Sequence, residues 1–178
     1  MEEMISHTDH PMRHWDRTCP ACINEAEKET MSKVIVFDID GTLANCTHRQ
    51  HHVQQKPKRW DLFNAGMASD TPHADIVWLF KTLQAQEDTV MLIASGRGEE
   101  HRSITEAWLT EHEIFFRKFF MRPAKDSRRD SIIKTEILNQ IRAEFGEPFM
   151  VFDDRNQVVD EAWRANGVRC LQVAPGSF

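Results

Sequence analysis

The sequence predicts an α/β fold in which a parallel β-sheet carries helices on both faces. Two observations lead there. Short apolar runs of strand length alternate with amphipathic helical stretches from residue 33 to residue 174, and that alternation is the pattern of βαβ units. The apolar runs are also unbroken rather than alternating, as expected of strands buried on both faces.

Each element follows in order. VIVFD at 34–38 is the first buried strand. Residues 44–71 are polar, contain Pro57 and Gly66, and are expected to form an irregular, helix-poor insert amounting to a small lid at most. His73–Gln86 sets Ile76, Val77, Leu79, Phe80 and Leu83 on one helical face, and Trp78, with these apolar neighbours, is expected in the core. TVMLIAS at 89–95 is the second strand and stops at Gly96. Glu99–His112 reads as a helix, and IFFRKFFM at 114–121 as a strand. Asp130–Phe145 is helical, with Ile132, Ile133, Ile137, Leu138 and Ile141 inward and Gly146 and Pro148 as stops. FMVFDD at 149–154 is a strand, Gln157–Asn166 a helix, and VRCLQVA at 168–174 the last strand.

Residues 1–31 differ from the rest. They are polar, with seven acids against three Lys/Arg, and are expected to be an N-terminal extension apart from a domain at 32–178. Cys19-Pro-Ala-Cys22 has the spacing of half a zinc knuckle. A structural Zn²⁺ on Cys19 and Cys22, completed by upstream histidines or by Cys46 and His48, is one reading. A pair of unbonded thiols in a tail is the other. Across the whole chain the formal charge is −6, with four cysteines in 178 residues. That is neither a general polyanion binder nor a disulfide framework. No apolar run approaches the roughly 20 residues of a membrane span, and the acidic N-terminus lacks a signal-peptide core. The expectation is a cytoplasmic protein without a membrane partner.

The residues just past the strands carry the chemistry. In such sheets ligands bind beyond the carboxyl ends of the strands. The first strand ends in Asp38, Asp40 and Thr42, the second in Ser95, Gly96 and Arg97, the fourth in Asp153, Asp154 and Arg155. Lys134 lies near the start of the helix before that fourth strand. Like charges held close destabilise a site unless a cation sits between them. Four carboxylates on one rim, Asp38, Asp40, Asp153 and Asp154, therefore call for a cation, and hard oxygen donors with no Cys or His cluster favour Mg²⁺. A serine, a lysine and helix-start amides on the same rim suit a phosphate. Together they read as phosphoryl transfer, with one carboxylate as nucleophile and its neighbour as proton donor. Thr42 and Arg155, at the same exits, are candidate substrate-binding residues.

Asp38-Ile-Asp-Gly-Thr-Leu43, Ser95, Lys134 and Asp153-Asp154 resemble the four motifs of the haloacid dehalogenase-like (HAD) phosphatase superfamily. SGR at 95–97, RRDSIIKTEIL at 128–138 and the run from Phe152 to Phe178 further resemble the 3′-phosphatase domain of phage polynucleotide kinase/phosphatase. The resemblance spans about residues 33–178. It implies a Rossmann-like domain with a very small cap, Asp38 as nucleophile and Asp40 as general acid/base. It also implies a metal held by Asp38, the main-chain oxygen of Asp40 and Asp153, and phosphoryl oxygens held by Ser95 and Lys134. Arg97 and Asp130 join the active site on the same basis. No Gly-x-x-x-x-Gly-Lys-[Ser/Thr] occurs in the sequence, so no P-loop kinase is expected of these residues.

The implied activity is Mg²⁺-dependent removal of a phosphate, a 3′-phosphate by resemblance, from nucleic-acid ends or nucleotides, with a separate kinase or ligase as a candidate partner. Two basic stretches fit polyanion substrates: residues 48–59, with four Lys/Arg, and residues 117–129, with six. Trp60 is the better base-stacking candidate. A small-molecule 5′(3′)-(deoxy)nucleotidase stands as the alternative, followed by a non-enzymatic phospho-acceptor or nucleic-acid-binding module.

Overall fold

The computed structural model describes residues 32–176. The candidate zinc ligands Cys19 and Cys22 lie outside them. Along the chain, β1 (Lys33–Phe37) leads to a two-stranded ribbon, β2 (Ala44–Asn45) with β3 (Thr71–Pro72), which brackets α1 (Thr47–Gln54) and α2 (Trp60–Ala65). Then come α3 (Ala74–Gln84), β4 (Thr89–Gly98), α4 (Arg102–Glu111), β5 (Lys118–Arg122) and α5 (Asp130–Phe145). The chain continues through β6 (Met150–Arg155), a mixed helix α6 over 156–166, and β7 (Cys170–Gly176).

The five long strands form one parallel sheet in the order β5-β4-β1-β6-β7. β1 takes the centre because every residue from Val34 to Phe37 is apolar and fully buried, which only a strand covered on both faces can use. Its side chains alternate between two cores. Val34 and Val36 pack with Ile133, Ile137, Leu138 and Ile141 of α5 and with Trp163. Ile35 and Phe37 pack with Phe80 of α3 and with Trp108 and Leu109 of α4. The helices thus cover both faces, as the sequence predicts. Among the described residues no helix is long and apolar enough to cross a membrane.

Two register shifts matter for the site. Pairing of β4 with β5 slips between Ser95 and Gly98, and pairing of β6 with β7 slips between Asp153 and Arg155. Both irregularities fall at the carboxyl ends of the strands, where such bulges re-aim side chains. The second strand therefore does not stop at Ser95; it bulges there and pairs on to Gly98.

Five expectations are corrected. The insert is not helix-poor, since it holds α1, α2 and a short 3₁₀ turn at Met67–Ser69. α1 escapes detection because its buried face is Arg49 and Val53, with an ion network where an apolar stripe would be. The strand expected from Ile114 begins at Lys118. Ile114 closes the end of α4 instead, its N–H donating to Leu109 O at 2.9 Å, while its side chain is buried. Trp78 is 67% exposed, because Val77 and Phe80 already claim the inward face of α3. Ile132 likewise points outward at 43% exposure. The helix expected at 157–166 exists, but a π-helical turn at Val159–Trp163 interrupts it. Such turns often mark functional positions, and here the turn carries Trp163 to the site.

Candidate active site

Asp38 directly follows β1, and its N–H donates to Phe152 O at 2.9 Å, which ties it to β6. β6 in turn delivers Asp153 and Asp154. The three carboxylates are buried and each offers an oxygen within 4.8 Å of the others. Lys134, reaching in from α5, is 1% exposed; its Nζ donates to Asp38 Oδ1 at 2.5 Å, to Ala94 O at 2.8 Å and to Asp153 Oδ2 at 3.2 Å. Trp163 Nε1 donates to Asp153 Oδ2 at 3.0 Å, and the Arg155 N–H to Asp153 Oδ1 at 3.0 Å.

Three carboxylates share one ammonium, so negative charge is left over in a buried place. The titration shifts report the same imbalance. Burial above all pushes Asp38 well up, with Lys134 opposing and Asp153 and Asp154 adding. Burial and then the Asp153 charge push Asp154 up to about 7, against Lys134. Asp154 Oδ1 is buried without any hydrogen-bond partner, and orphaned buried acceptors of this kind call for a ligand. The turn after Asp38 packs tightly against the cluster. Gly41 has φ +88°, and a Cβ there would lie 2.2 Å from Asp154 Oδ2, so only glycine lets the Asp38–Asp40 turn close onto β6. An all-carboxylate set with residual negative charge and an unpartnered oxygen fits a hard divalent cation such as Mg²⁺.

The Asp40 side chain lies outside that cluster. Arg97 grips it, Nε to Oδ2 at 3.0 Å and Nη2 to Oδ1 at 2.6 Å, and Arg49 Nη2 also donates to Oδ1. Burial would raise its pKa, but the two guanidinium groups outweigh burial and hold the carboxyl well below the usual range. Behind them sits Asp70, fully buried. Its Oδ1 accepts from Arg49 Nε at 2.7 Å and is 2.9 Å from His48 Nε2. Its Oδ2 accepts from Arg49 Nη2 at 2.5 Å and Arg97 Nη2 at 2.8 Å. Asp70, Arg49 and Arg97, all buried, and the partly buried Asp40 thus form a charge-balanced quartet, which meets the rule that buried charges be paired.

The sequence-derived residues distribute unevenly. Asp38, Asp40, Arg97, Asp130, Asp153, Asp154 and Arg155 all line one cleft of about 550 Å³. Asp130 accepts from Arg122 Nη2 at 3.0 Å and from Arg155 Nη1 at 3.1 Å, so it positions cations. Thr42 and Ser95 are fully buried and do not line the cleft. Thr42 Oγ1 has no partner, and Ser95 Oγ accepts from the Arg97 N–H at 3.2 Å. Lys134 also lies below the cleft surface, occupied with Asp38 and Asp153. Arg49 and Asp70 escaped sequence reasoning. Arg49 sat unremarked in a basic stretch, and only the return of the chain at β3 brings Asp70 against it.

Residues 32–178 match the family described as the polynucleotide kinase PNKP phosphatase domain. A "Putative bifunctional polynucleotide kinase/RNA ligase" of Autographa californica nuclear polyhedrosis virus is 30% identical over 129 residues, 71% of this chain and 17% of the viral protein. A chain in the structure of the Pnkp1/Rnl/Hen1 RNA repair complex superposes with TM-score 0.71 at 27% identity, covering 84% of this chain and 45% of that one. A haloacid dehalogenase-like hydrolase of Streptococcus pneumoniae shares the fold, with TM-score 0.57 at 15% identity over 80% of this chain and 85% of its own. The chain therefore spans less than half the length of the first two relatives.

Proposed function

Because the chain belongs to the polynucleotide kinase PNKP phosphatase domain family and is a HAD-type phosphatase, we propose that it removes a 3′-phosphate from nucleic-acid ends or nucleotides, in a Mg²⁺-dependent reaction through an aspartyl-phosphate. The observation that carries this is the buried Asp38–Lys134–Asp153–Asp154 cluster opening on the cleft. In this reading residues 32–178 are the catalytic domain and residues 44–71 its small cap.

Asp38, Asp153 and Asp154, with the main-chain oxygen of Asp40, would hold the ion. When bound, Mg²⁺ supplies charge that offsets the phosphoryl oxygens. Lys134 keeps one Asp38 oxygen engaged at 2.5 Å, which fixes the carboxylate and leaves its second oxygen for attack. That oxygen forms a bond to phosphorus while the ester bond to the 3′-oxygen breaks, and the departing oxygen takes a proton from Asp40. In the second step Asp40 takes a proton from water, the water oxygen bonds to phosphorus, and the bond to Asp38 breaks. Inorganic phosphate leaves and Asp38 is restored. The arginine pair around Asp40 fixes its orientation and favours the base form that the second step uses, so Asp40 carries the proton of the first step only after it turns from the arginines toward the departing oxygen. Ser95 and Lys134 serve the phosphoryl group only after shifting toward the cleft, whereas Arg97 already borders it.

The test is phosphate release from 3′- and 5′-phosphorylated oligonucleotides and mononucleotides, with Mg²⁺ and with a chelator. Release from 3′ ends only with Mg²⁺ is expected. A preference for mononucleotides would move the reading to a nucleotidase, for which a cleft of about 550 Å³ is also an ordinary size. Removing a 3′-phosphate leaves a 3′-hydroxyl, the end that strand-joining chemistry consumes, so a separate kinase or ligase is a fitting partner.

A further inference from the structure

A second groove, of about 410 Å³, lies between α3 and the carboxyl end of α4. It shares no residue with the catalytic cleft. Pro72 and the buried Val77 line it with apolar surface. Trp78 lines it too, and its 67% exposure is the highest among the large apolar side chains described. A lone exposed indole needs no explanation, but this one faces a groove whose charges are arranged around it.

The end of α4 carries those charges. The last carbonyls of a helix form its negative pole, and Glu111 and Glu113 add two carboxylates there. Glu113 has φ +57°, the conformation in which a helix commonly ends on glycine. Glycine would sit there without strain. Glutamate does not, and its carboxylate lies 2.7 Å from Lys81 Nζ. That pair neutralises the one lysine lining the groove. His112, the remaining titratable side chain, has its ring edge-on to Trp108 at 4.4 Å. The Glu111 carboxylate is left without a partner among the described residues. The lining thus combines an apolar floor, an open indole face, the negative pole of a helix and one unpaired acid.

One kind of side chain answers all four. Arginine has an apolar stem for Pro72 and Val77, a planar cation that stacks on an indole, and a fork of donors that fits a carboxylate. A nucleic-acid backbone is repelled by the same acids that attract a guanidinium. We propose that this groove docks an arginine-bearing basic segment of a partner protein, on a face that the phosphatase substrate does not use.

The full chain labelled with 5-fluorotryptophan tests this. It gives one fluorine resonance for each of the five tryptophans, and Trp78→Phe identifies the one at the groove. The probes are the peptide acetyl-GLRARLG-amide and its lysine and citrulline counterparts. The arginine peptide is expected to shift the Trp78 resonance saturably, with a Kd of about 1 mM. The lysine peptide binds more weakly, because a point charge stacks less well on the indole. The citrulline peptide, which keeps the shape without the charge, gives no saturable shift. Glu111→Gln weakens the arginine peptide by about threefold. Phosphate release stays at the parent level in Glu111→Gln and Trp78→Phe. The proposal is overturned by a Trp78 resonance that does not move up to about 10 mM arginine peptide, by an equal shift with citrulline, or by parent affinity in Glu111→Gln. It is also overturned by self-association in sedimentation that Trp78→Glu abolishes, since a second copy would then cover this face. A loss of phosphate release in the groove variants would tie the face to catalysis and overturn it as well.

Discussion

Replacing Lys134 with Met tests how the buried cluster is held together. Lys134 is 1% exposed and its ammonium donates to Asp38, Asp153 and a backbone carbonyl. Methionine, unbranched and one atom shorter, fills most of the same space but leaves three buried carboxylates with no cation among them. Breaking a buried ion pair by removing one partner costs about 3–5 kcal/mol. The cluster can limit the loss by taking up a proton on Asp38 or Asp154, both already raised by burial. The loss is therefore largest at alkaline pH and shrinks as pH falls and these groups protonate. Urea unfolding at pH 8 in chelator reads it directly, and the same experiment at pH 5 gives a smaller difference. Mg²⁺ at pH 8 restores more stability to the variant than it adds to the parent, because bound ligand stabilises by mass action and the variant site is more negative. Phosphate release is expected to fall by at least about 100-fold even where the variant is folded, since the carboxylate proposed to attack loses its positioning. An unfolding midpoint in chelator at pH 8 equal to that of the parent would refute the reasoning, for it would mean that the carboxylates are not electrostatically dependent on Lys134.

Other perturbations probe the same geometry. Asp38→Asn removes the proposed nucleophile and one of the crowded charges, so turnover is expected to be lost while the metal-free melting temperature stays level or rises; turnover near the parent value ends the nucleophile assignment. Gly41→Ala places a methyl group 2.2 Å from Asp154 Oδ2 at a positive φ; it is expected to destabilise by more than about 1 kcal/mol and to weaken Mg²⁺ binding measured by calorimetry, and unchanged Mg²⁺ affinity speaks against Asp154 as a ligand. Asp70→Ala leaves Arg49 and Arg97 with only Asp40 to offset them, which costs about 3–5 kcal/mol by denaturation and lowers kcat more than it changes KM. A loss in KM alone would mean that the quartet serves substrate binding rather than the placement of Asp40.

The motif residues were legible in the sequence because each sits where a buried strand runs out. Asp38, Asp40, Asp153 and Asp154 follow apolar runs too short and too uniform to be anything but central strands, and their shared rim follows from parallel topology. The insert was illegible for the opposite reason. α1 buries an arginine rather than a leucine, so hydrophobic periodicity passes over it. Trp78 misled for a related reason, since apolar neighbours along a helix do not say which face is already filled.

The sequence by itself determined the sheet, the chemical inventory of its carboxyl edge and the family, because strand burial and motif spacing are local properties of the chain. Only the tertiary structure decided which charge answers which. Lys134 stands 96 positions from Asp38, and Arg97 stands 57 from Asp40. Asp70 closes the quartet only after the insert has folded back on β3. Pairing between buried charges depends on distance and dielectric in three dimensions, and no one-dimensional pattern records either.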